Sequence, residues 1–339
     1  MIRRTKPHVV VLSNRPLFDS IFTQNLQNRL SDSFLWTRLP SRRVTPATRH
    51  KLASVEALIT TWDSPVFGEE LVGWAPQLRI IAHCGGEVKA RFARRLFDRL
   101  TITNAAAPMA RPVAELAVAF LLYAARNLDS YRTSLKNSSN RIYRKLHLQG
   151  TPYESLLDQP VGMIGFGRIG RAVADLLHPF GTRLIVHDPY VTADVVRDYP
   201  VQLASLQEVL RTSHLLLLTA ALTDETRGML NGKALASLPR GAWVINVARG
   251  GLVDLPALTR EVLLGHLRCA LDVTDPFEPL PLRHPLRRCS GALITPHIGA
   301  AFVSVRNQIA EIVLADLERF FRGEPVENRV STRMLDRMT

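Results

Sequence analysis

Three ionisable side chains, Arg249, Glu278 and His297, each follow an apolar run with the length of a strand, and together they can handle a carbonyl compound. Arg249 lies in Val247-Ala248-Arg249-Gly250-Gly251, where the glycines let backbone and ligand come close. A guanidinium there can grip a carboxylate through two parallel hydrogen bonds and polarise a neighbouring carbonyl. His297 follows Thr295-Pro296, and Glu278 precedes Pro279 in the loop after Asp272-Val273. A nearby carboxylate favours the charged imidazole and raises its pKa, so such a pair can hold a proton ready for a carbonyl oxygen near neutral pH. Alone, each residue also reads as a solvated loop charge or a structural histidine. What joins them is position: all three follow strand ends, on the side where an open parallel sheet binds its ligands.

The element that would set this edge lies between Pro160 and Asp188. A short apolar run, Val161-Gly162-Met163-Ile164, leads into Gly165-Phe166-Gly167-Arg168-Ile169-Gly170. Ile169, Ala172, Val173, Leu176, Leu177 and Phe180 then recur at helical spacing until Gly181. A second strand, Arg183 to His187, ends at Asp188. Gly165 allows the tight turn, Gly167 lets backbone N–H groups approach a pyrophosphate at the helix N-terminus, and Gly170 lets helix and strand pack closely. Asp188 stands where a carboxylate binds a ribose 2′-hydroxyl. Strand, glycines, helix, strand and acid in this order predict a dinucleotide site. Asp188 favours NAD (as NADH) over NADP, because a carboxylate would repel a 2′-phosphate and neither Pro189 nor Tyr190 offers a cation.

The motif falls in mid-chain, and that placement predicts the domain organisation. Before it, the strands Val9 to Leu12, Ala57 to Thr60, Leu78 to Ala82 and Leu100 to Thr103 alternate with helices as a small α/β unit. After it come His214 to Leu218, Ala242 to Asn246, Cys269 to Val273 and Ala292 to Thr295, separated by short helices as parallel strands require. The amphipathic helix Val303 to Phe321 is expected to return to the first domain. The expected fold is therefore α/β, with a Rossmann-type parallel-sheet nucleotide domain, 111–299, inserted into a smaller flavodoxin-like substrate domain, 1–110 and 300–339. Two crossings would place a cleft at the junction and let it close like a hinge. Residues 133–158, rich in polar side chains, read as a surface passage.

Composition bounds the partners. The 339 residues are 46% hydrophobic and 22% charged, a soluble globular balance long enough for two domains. The apolar stretch Leu116 to Ala125 is about half the ~20 residues of a bilayer span, which predicts a buried helix and no membrane. Arg3, Arg4 and Lys6 precede too brief an apolar run for a signal peptide, so a cytoplasmic location is expected. Cys84, Cys269 and Cys289 are few, odd in number and far apart, which argues against a disulfide framework or a zinc site; no metal is expected. The net charge of +13 is uneven, since residues 1–150 hold 23 Lys/Arg and 10 Asp/Glu and the remainder holds 20 of each. Arg91, Arg94, Arg95 and Arg99 share one side of an expected helix, a solvated face rather than a nucleic-acid surface. The excess can also steer a small anionic substrate.

With these motifs in view, the chain resembles the D-isomer-specific 2-hydroxyacid dehydrogenase family over roughly residues 76–305. The resemblance rests on the glycine fingerprint, the Ala248-Arg249-Gly250-Gly251 loop, Glu278-Pro279 and Pro296-His297. It implies that Arg249 binds a 2-keto acid, His297 is the general acid and base, and Glu278 orients and charges His297. It also implies cofactor contacts from Gly165, Gly167, Arg168, Ile169, Gly170, Asp188, Thr219 and Asp272, and substrate contacts from Gly85, Gly86 and Trp62. The activity so implied is NAD-dependent interconversion of a small anionic 2-keto acid and its D-2-hydroxy acid, as in hydroxypyruvate or glyoxylate reductases, by a homodimer. Oxidation of a phosphorylated hydroxy acid, as in phosphoglycerate dehydrogenases, is the alternative within enzymes, and an NAD-sensing corepressor-like protein the alternative outside them. The chain departs from the family pattern in three places: Val88-Lys89 replaces Val-Asp, Thr219-Ala220-Ala221 replaces His-x-Pro, and one extra residue precedes Glu278. The last departure leaves Asp275 as a second candidate partner for His297.

Overall fold

The computed structural model describes residues 6–40, 44–137, 144, 147–149, 155–157 and 159–338. Arg3, Arg4 and most of the polar passage 133–158 lie outside the described residues. The chain divides into two compact units, Met1–Pro108 with Ala301–Thr339, and Met109–Ala300.

The first unit is built on five parallel strands, β1 (His8–Leu12), β2 (Leu35–Leu39), β3 (Ala57–Thr60), β4 (Ile80–His83) and β5 (Thr101–Asn104). Their order is β2-β1-β3-β4-β5, the flavodoxin-like order, in which the chain reverses direction across the sheet beside β1. β3 and β4 are buried along their whole length, as strands covered on both faces must be. The helix Val303–Arg322 packs against β4 and β5 and buries Val305, Ile309, Val313 and Leu317. An ion pair ties it to the helix Gln24–Ser33, with Arg29 donating twice to Glu318 at 2.9 and 2.7 Å.

The second unit carries β6 (Val161–Ile164), β7 (Leu184–His187), β8 (Val201–Leu203), β9 (Leu215–Leu218), β10 (Trp243–Asn246), β11 (Arg268–Leu271) and β12 (Ala292–Ile294). All pair in parallel in the order β12-β11-β10-β9-β6-β7-β8, which places the reversal of strand order between β6 and β9. The four leucines of β9 are at most 2% exposed; each contributes about 1.5–3 kcal/mol on leaving water. The glycine-motif helix, Arg168–Leu177, packs against the helix Ala110–Ala125, whose Ala114, Ala117, Phe120 and Leu121 are buried.

Several expectations need correction. Strands β2 and β8 have no counterpart in the sequence reading, because both are sheet edges and too exposed to stand out as apolar runs. The apolar stretch at Leu116 is part of a longer one: Ala107–Ala125 is long and apolar enough to cross a membrane by length and composition, and only 28% of its most apolar stretch is buried, on the face that carries Ala114, Ala117, Leu121 and Ala124. Arg91, Arg94, Arg95 and Arg99 do not share a helix face, since only Leu96–Arg99 is helical. Arg91 donates to the carbonyls of Ser64 and Trp62, Arg94 pairs with Asp336, and Arg95 pairs with Glu69.

Candidate active site

In the second unit, the turn after β6 has the shape that binding a pyrophosphate requires. Gly165 has φ 95°, and a Cβ there would stand 2.5 Å from the backbone of Ala220, so only glycine fits. A Cβ on Gly170 would stand 2.7 Å from the carbonyl oxygen of Gly165, which keeps the helix close to the turn. Gly167 differs: a Cβ there meets nothing within 4 Å. It is the N-cap of the helix, without a side-chain cap bond, so the first-turn N–H groups of the exposed Arg168 and half-buried Ile169 face outward for an anion. Asp188 stands beside this turn, accepting the N–H of Phe166 at 2.8 Å and of Tyr190 at 2.9 Å. Each of its oxygens keeps a lone pair for a ribose hydroxyl. The residues therefore fit NAD. Thr219 is buried and spends its hydroxyl on the carbonyl of Gly165 at 2.6 Å, so it braces the glycine turn from beneath.

The catalytic candidates stand on the loops after β10, β11 and β12. Arg249 has an extended backbone, and its loop is held by Asn246, whose side chain donates to the Arg249 carbonyl at 2.8 Å and accepts the Ala248 N–H at 3.0 Å. A Cβ on Gly250 would stand 2.2 Å from the carbonyl carbon of Thr274, so this loop touches the next one at backbone distance. Thr274 in turn donates its N–H to Glu278 at 3.3 Å.

His297 Nδ1 lies 2.9 Å from Glu278 Oε2. The extra residue before Glu278 is absorbed in its loop, and the partner of His297 is Glu278, not Asp275. The hydrogen bond that the imidazole donates to Glu278, with the charges of Glu278 and Asp272, holds the His297 pKa above its ordinary 6.5, against the opposing effects of burial and Arg249. Burial raises the Glu278 pKa, but the imidazole hydrogen bond and charge, the Thr274 N–H and Arg249 outweigh it and leave the carboxyl below its usual range. In its charged form the imidazole donates through Nδ1 to Glu278 and carries a second proton on Nε2.

Asp272, expected among the cofactor contacts, is 2% exposed and braces the histidine loop. Its carboxylate accepts the Thr295 hydroxyl at 2.6 Å and the N–H groups of Ile298 and Gly299 at 2.8 and 3.0 Å. Asn246, Thr274 and Thr295 were not anticipated; their signal is a polar residue at or just past the end of an apolar strand, where it can hold a loop.

In the first unit, Gly85 and Gly86 form the turn after β4. The Gly85 carbonyl accepts the Ala105 N–H, and Asn104 donates to the Gly86 carbonyl. A Cβ on Gly85 would stand 2.8 Å from His83 Nε2 and 3.0 Å from Trp62 Nε1. Burial pushes the His83 pKa down to about 3, aided by Arg91, so its ring is neutral; its Nδ1 pairs with the Thr60 hydroxyl at 2.9 Å. Burial raises the thiols of Cys84 and Cys269, which keeps them inert. Among the described residues no group of three His, Cys, Asp or Glu is placed to hold a metal.

Residues 118–299 match the family model described as "D-isomer specific 2-hydroxyacid dehydrogenase, NAD binding domain". The chain belongs to the D-isomer-specific 2-hydroxyacid dehydrogenase family. Within it, the chain is 32% identical over 270 residues to a D-3-phosphoglycerate dehydrogenase of Mycobacterium leprae, covering 77% of this chain and 48% of that one. It thus spans about half the length of the phosphoglycerate dehydrogenases it matches. It is 31% identical over 243 residues to a hydroxypyruvate reductase of Thermotoga maritima, covering 71% of this chain and 76% of the relative. Among solved structures it superposes on the TT0316 protein of Thermus thermophilus with a TM-score of 0.76 and 29% identity, over 95% and 99% of the two chains. The two-unit architecture and the NAD-binding sheet are those of this dehydrogenase family.

Proposed function

We propose that the protein is an NAD-dependent oxidoreductase that reduces a small 2-keto acid to the D-2-hydroxy acid, in the manner of hydroxypyruvate and glyoxylate reductases. The observation that carries the reading is the 2.9 Å pair of His297 and Glu278 beside Arg249, on the same sheet as the glycine turn. NADH, when bound, supplies the two electrons as hydride at the keto carbon. Arg249 binds the keto acid and draws electron density toward the carbonyl oxygen. His297 gives its Nε2 proton to that oxygen, and Glu278 keeps the imidazole charged and oriented. In the first unit, the Gly85–Gly86 turn and Trp62 hold the substrate carboxylate. Asp188 selects NADH over NADPH by repelling a 2′-phosphate. The active form in this proposal is a homodimer, which analytical ultracentrifugation measures directly.

The test is NADH oxidation over a panel of 2-keto acids with His297→Ala as control. Turnover that His297→Ala abolishes supports the reading. Tight NADH binding with no turnover on any keto acid would leave an NAD sensor instead, and full activity in His297→Ala would remove the assigned acid.

A further inference from the structure

The first unit holds a cation that the proposed reaction does not use. Arg306, in the first turn of the helix Val303–Arg322, lines a cavity of ≈ 630 Å³ together with Asn14, Trp62, Asp63 and Ser64. It is half-buried and, among the described residues, makes no ion pair. Its Nη1 donates to the Ser20 hydroxyl at 2.8 Å, its guanidinium lies 5.8 Å from the Trp62 ring centroid, and its buried Nε donates to nothing. A partly desolvated guanidinium without a counter-charge is costly, and its fork suits carboxylate or phosphate oxygens. The carboxylate in the same lining is already engaged: Asp63 accepts the Asn14 N–H at 2.7 Å and the Thr61 hydroxyl at 2.5 Å, and Arg91 attracts it electrostatically. The cavity also shares a wall with the Gly85 turn, because Trp62 Nε1 stands 3.0 Å from where a Cβ on residue 85 would lie.

We propose that this cavity receives a second anionic group, carboxylate or phosphate, at the far end of a keto acid whose own carboxylate is held at the Gly85–Gly86 turn, with Arg306 as the specificity-determining contact. The inference rests on the 2-keto acid reading above, and it narrows the substrate class from small keto acids to dianionic ones. Glyoxylate, with no far end, would leave the cavity unused.

Arg306→Gln removes the charge while keeping a donor toward Ser20, and Arg306→Lys restores a point charge. With glyoxylate, oxaloacetate and phosphohydroxypyruvate as substrates, Arg306→Gln should raise KM about tenfold or more for whichever dianion the cavity takes, a step of about 1.4 kcal/mol. Its kcat and its glyoxylate KM should stay unchanged, and Arg306→Lys should recover part of the loss. Loss with oxaloacetate marks a carboxylate site, and loss with phosphohydroxypyruvate marks a phosphate site. An equal loss with glyoxylate, or no loss with any substrate, overturns the proposal. Calorimetric titration of 3-phosphoglycerate and of malonate into the cofactor-free protein separates the two readings. Anion binding that needs Arg306 without any keto-acid turnover sinks the reductase and keeps the cavity; turnover indifferent to Arg306 does the reverse.

Discussion

Asp272 and His297 are hydrogen-bonded through the main chain rather than through the imidazole, which the Asp272 charge reaches only at longer range. The Asp272 carbonyl accepts the His297 N–H at 2.9 Å, and the Asp272 carboxylate accepts the next two N–H groups, from Ile298 and Gly299. His297 has φ 56°, a left-handed conformation that costs a side-chain-bearing residue about 1–2 kcal/mol. The Asp272 clasp offsets that cost and aims the ring at Glu278. Asp272→Asn gives up at least one charge-assisted bond, so stability should fall by about 1.5–3 kcal/mol and kcat with it. Denaturant unfolding measures this, and an unchanged midpoint would remove the clasp.

The pH profile of reduction follows from the raised pKa of His297. The proton it donates is present below that pKa and lost as pH rises through it, so kcat/KM for keto-acid reduction should decline on the alkaline side, above the ordinary 6.5. Glu278→Gln should move that decline toward lower pH. The pair also links to stability: its contribution is full below the ordinary imidazole value, and it is lost as pH rises through the raised one. For Glu278 the sign is opposite, with the contribution lost as pH falls through its depressed pKa. A profile that Glu278→Gln leaves in place would separate the acid from its assigned partner.

Gly165 and Gly167 should respond in opposite ways to the same methyl group. Gly165→Ala meets backbone at 2.5 Å with φ 95° and should destabilise the unit by several kcal/mol, on the order of 3 or more. Gly167→Ala meets nothing within 4 Å, so its melting temperature should hardly change. Its Cβ would instead occupy the space over the helix N-terminus, and NADH affinity should fall roughly tenfold or more. Equal melting losses in both variants would contradict the geometry.

Cofactor choice tests Asp188. Asp188→Asn keeps one oxygen acceptor, enough for the Phe166 N–H but not also for the Tyr190 N–H, and removes the charge that repels a 2′-phosphate. The NADH-to-NADPH preference should shrink by about tenfold in kcat/KM, measured with both cofactors. No change in the ratio would place the discrimination elsewhere.

The dinucleotide unit was legible because its evidence is local. Glycines at 165, 167 and 170 record a turn, a close approach and a helix contact between residues at most five positions apart, and β6 and β9 are apolar throughout, and β10 up to its terminal Asn246, because both of their faces are covered. The positions of Arg249, Glu278 and His297 at strand ends could likewise be read from where those apolar runs stop. Which of them touch could not. Glu278 and His297 are 19 positions apart on different loops, so choosing Glu278 over Asp275 depends on how the β11 loop absorbs its extra residue against Thr274 and Gly250. The work of Asp272 was equally hidden, since a carboxylate at a strand end reads the same whether it meets a ligand or a neighbouring loop. Edge strands β2 and β8 escaped for the complementary reason: with one edge unpaired and residues exposed, little apolar pattern is required of them. Sequence alone therefore determined the buried strands, but not the edge strands β2 and β8, together with the glycine turn and the candidate residues that follow the strand ends. Only the tertiary structure decided the pairings there, because a hydrogen bond between distant residues depends on strand order and loop path, which no local spacing records.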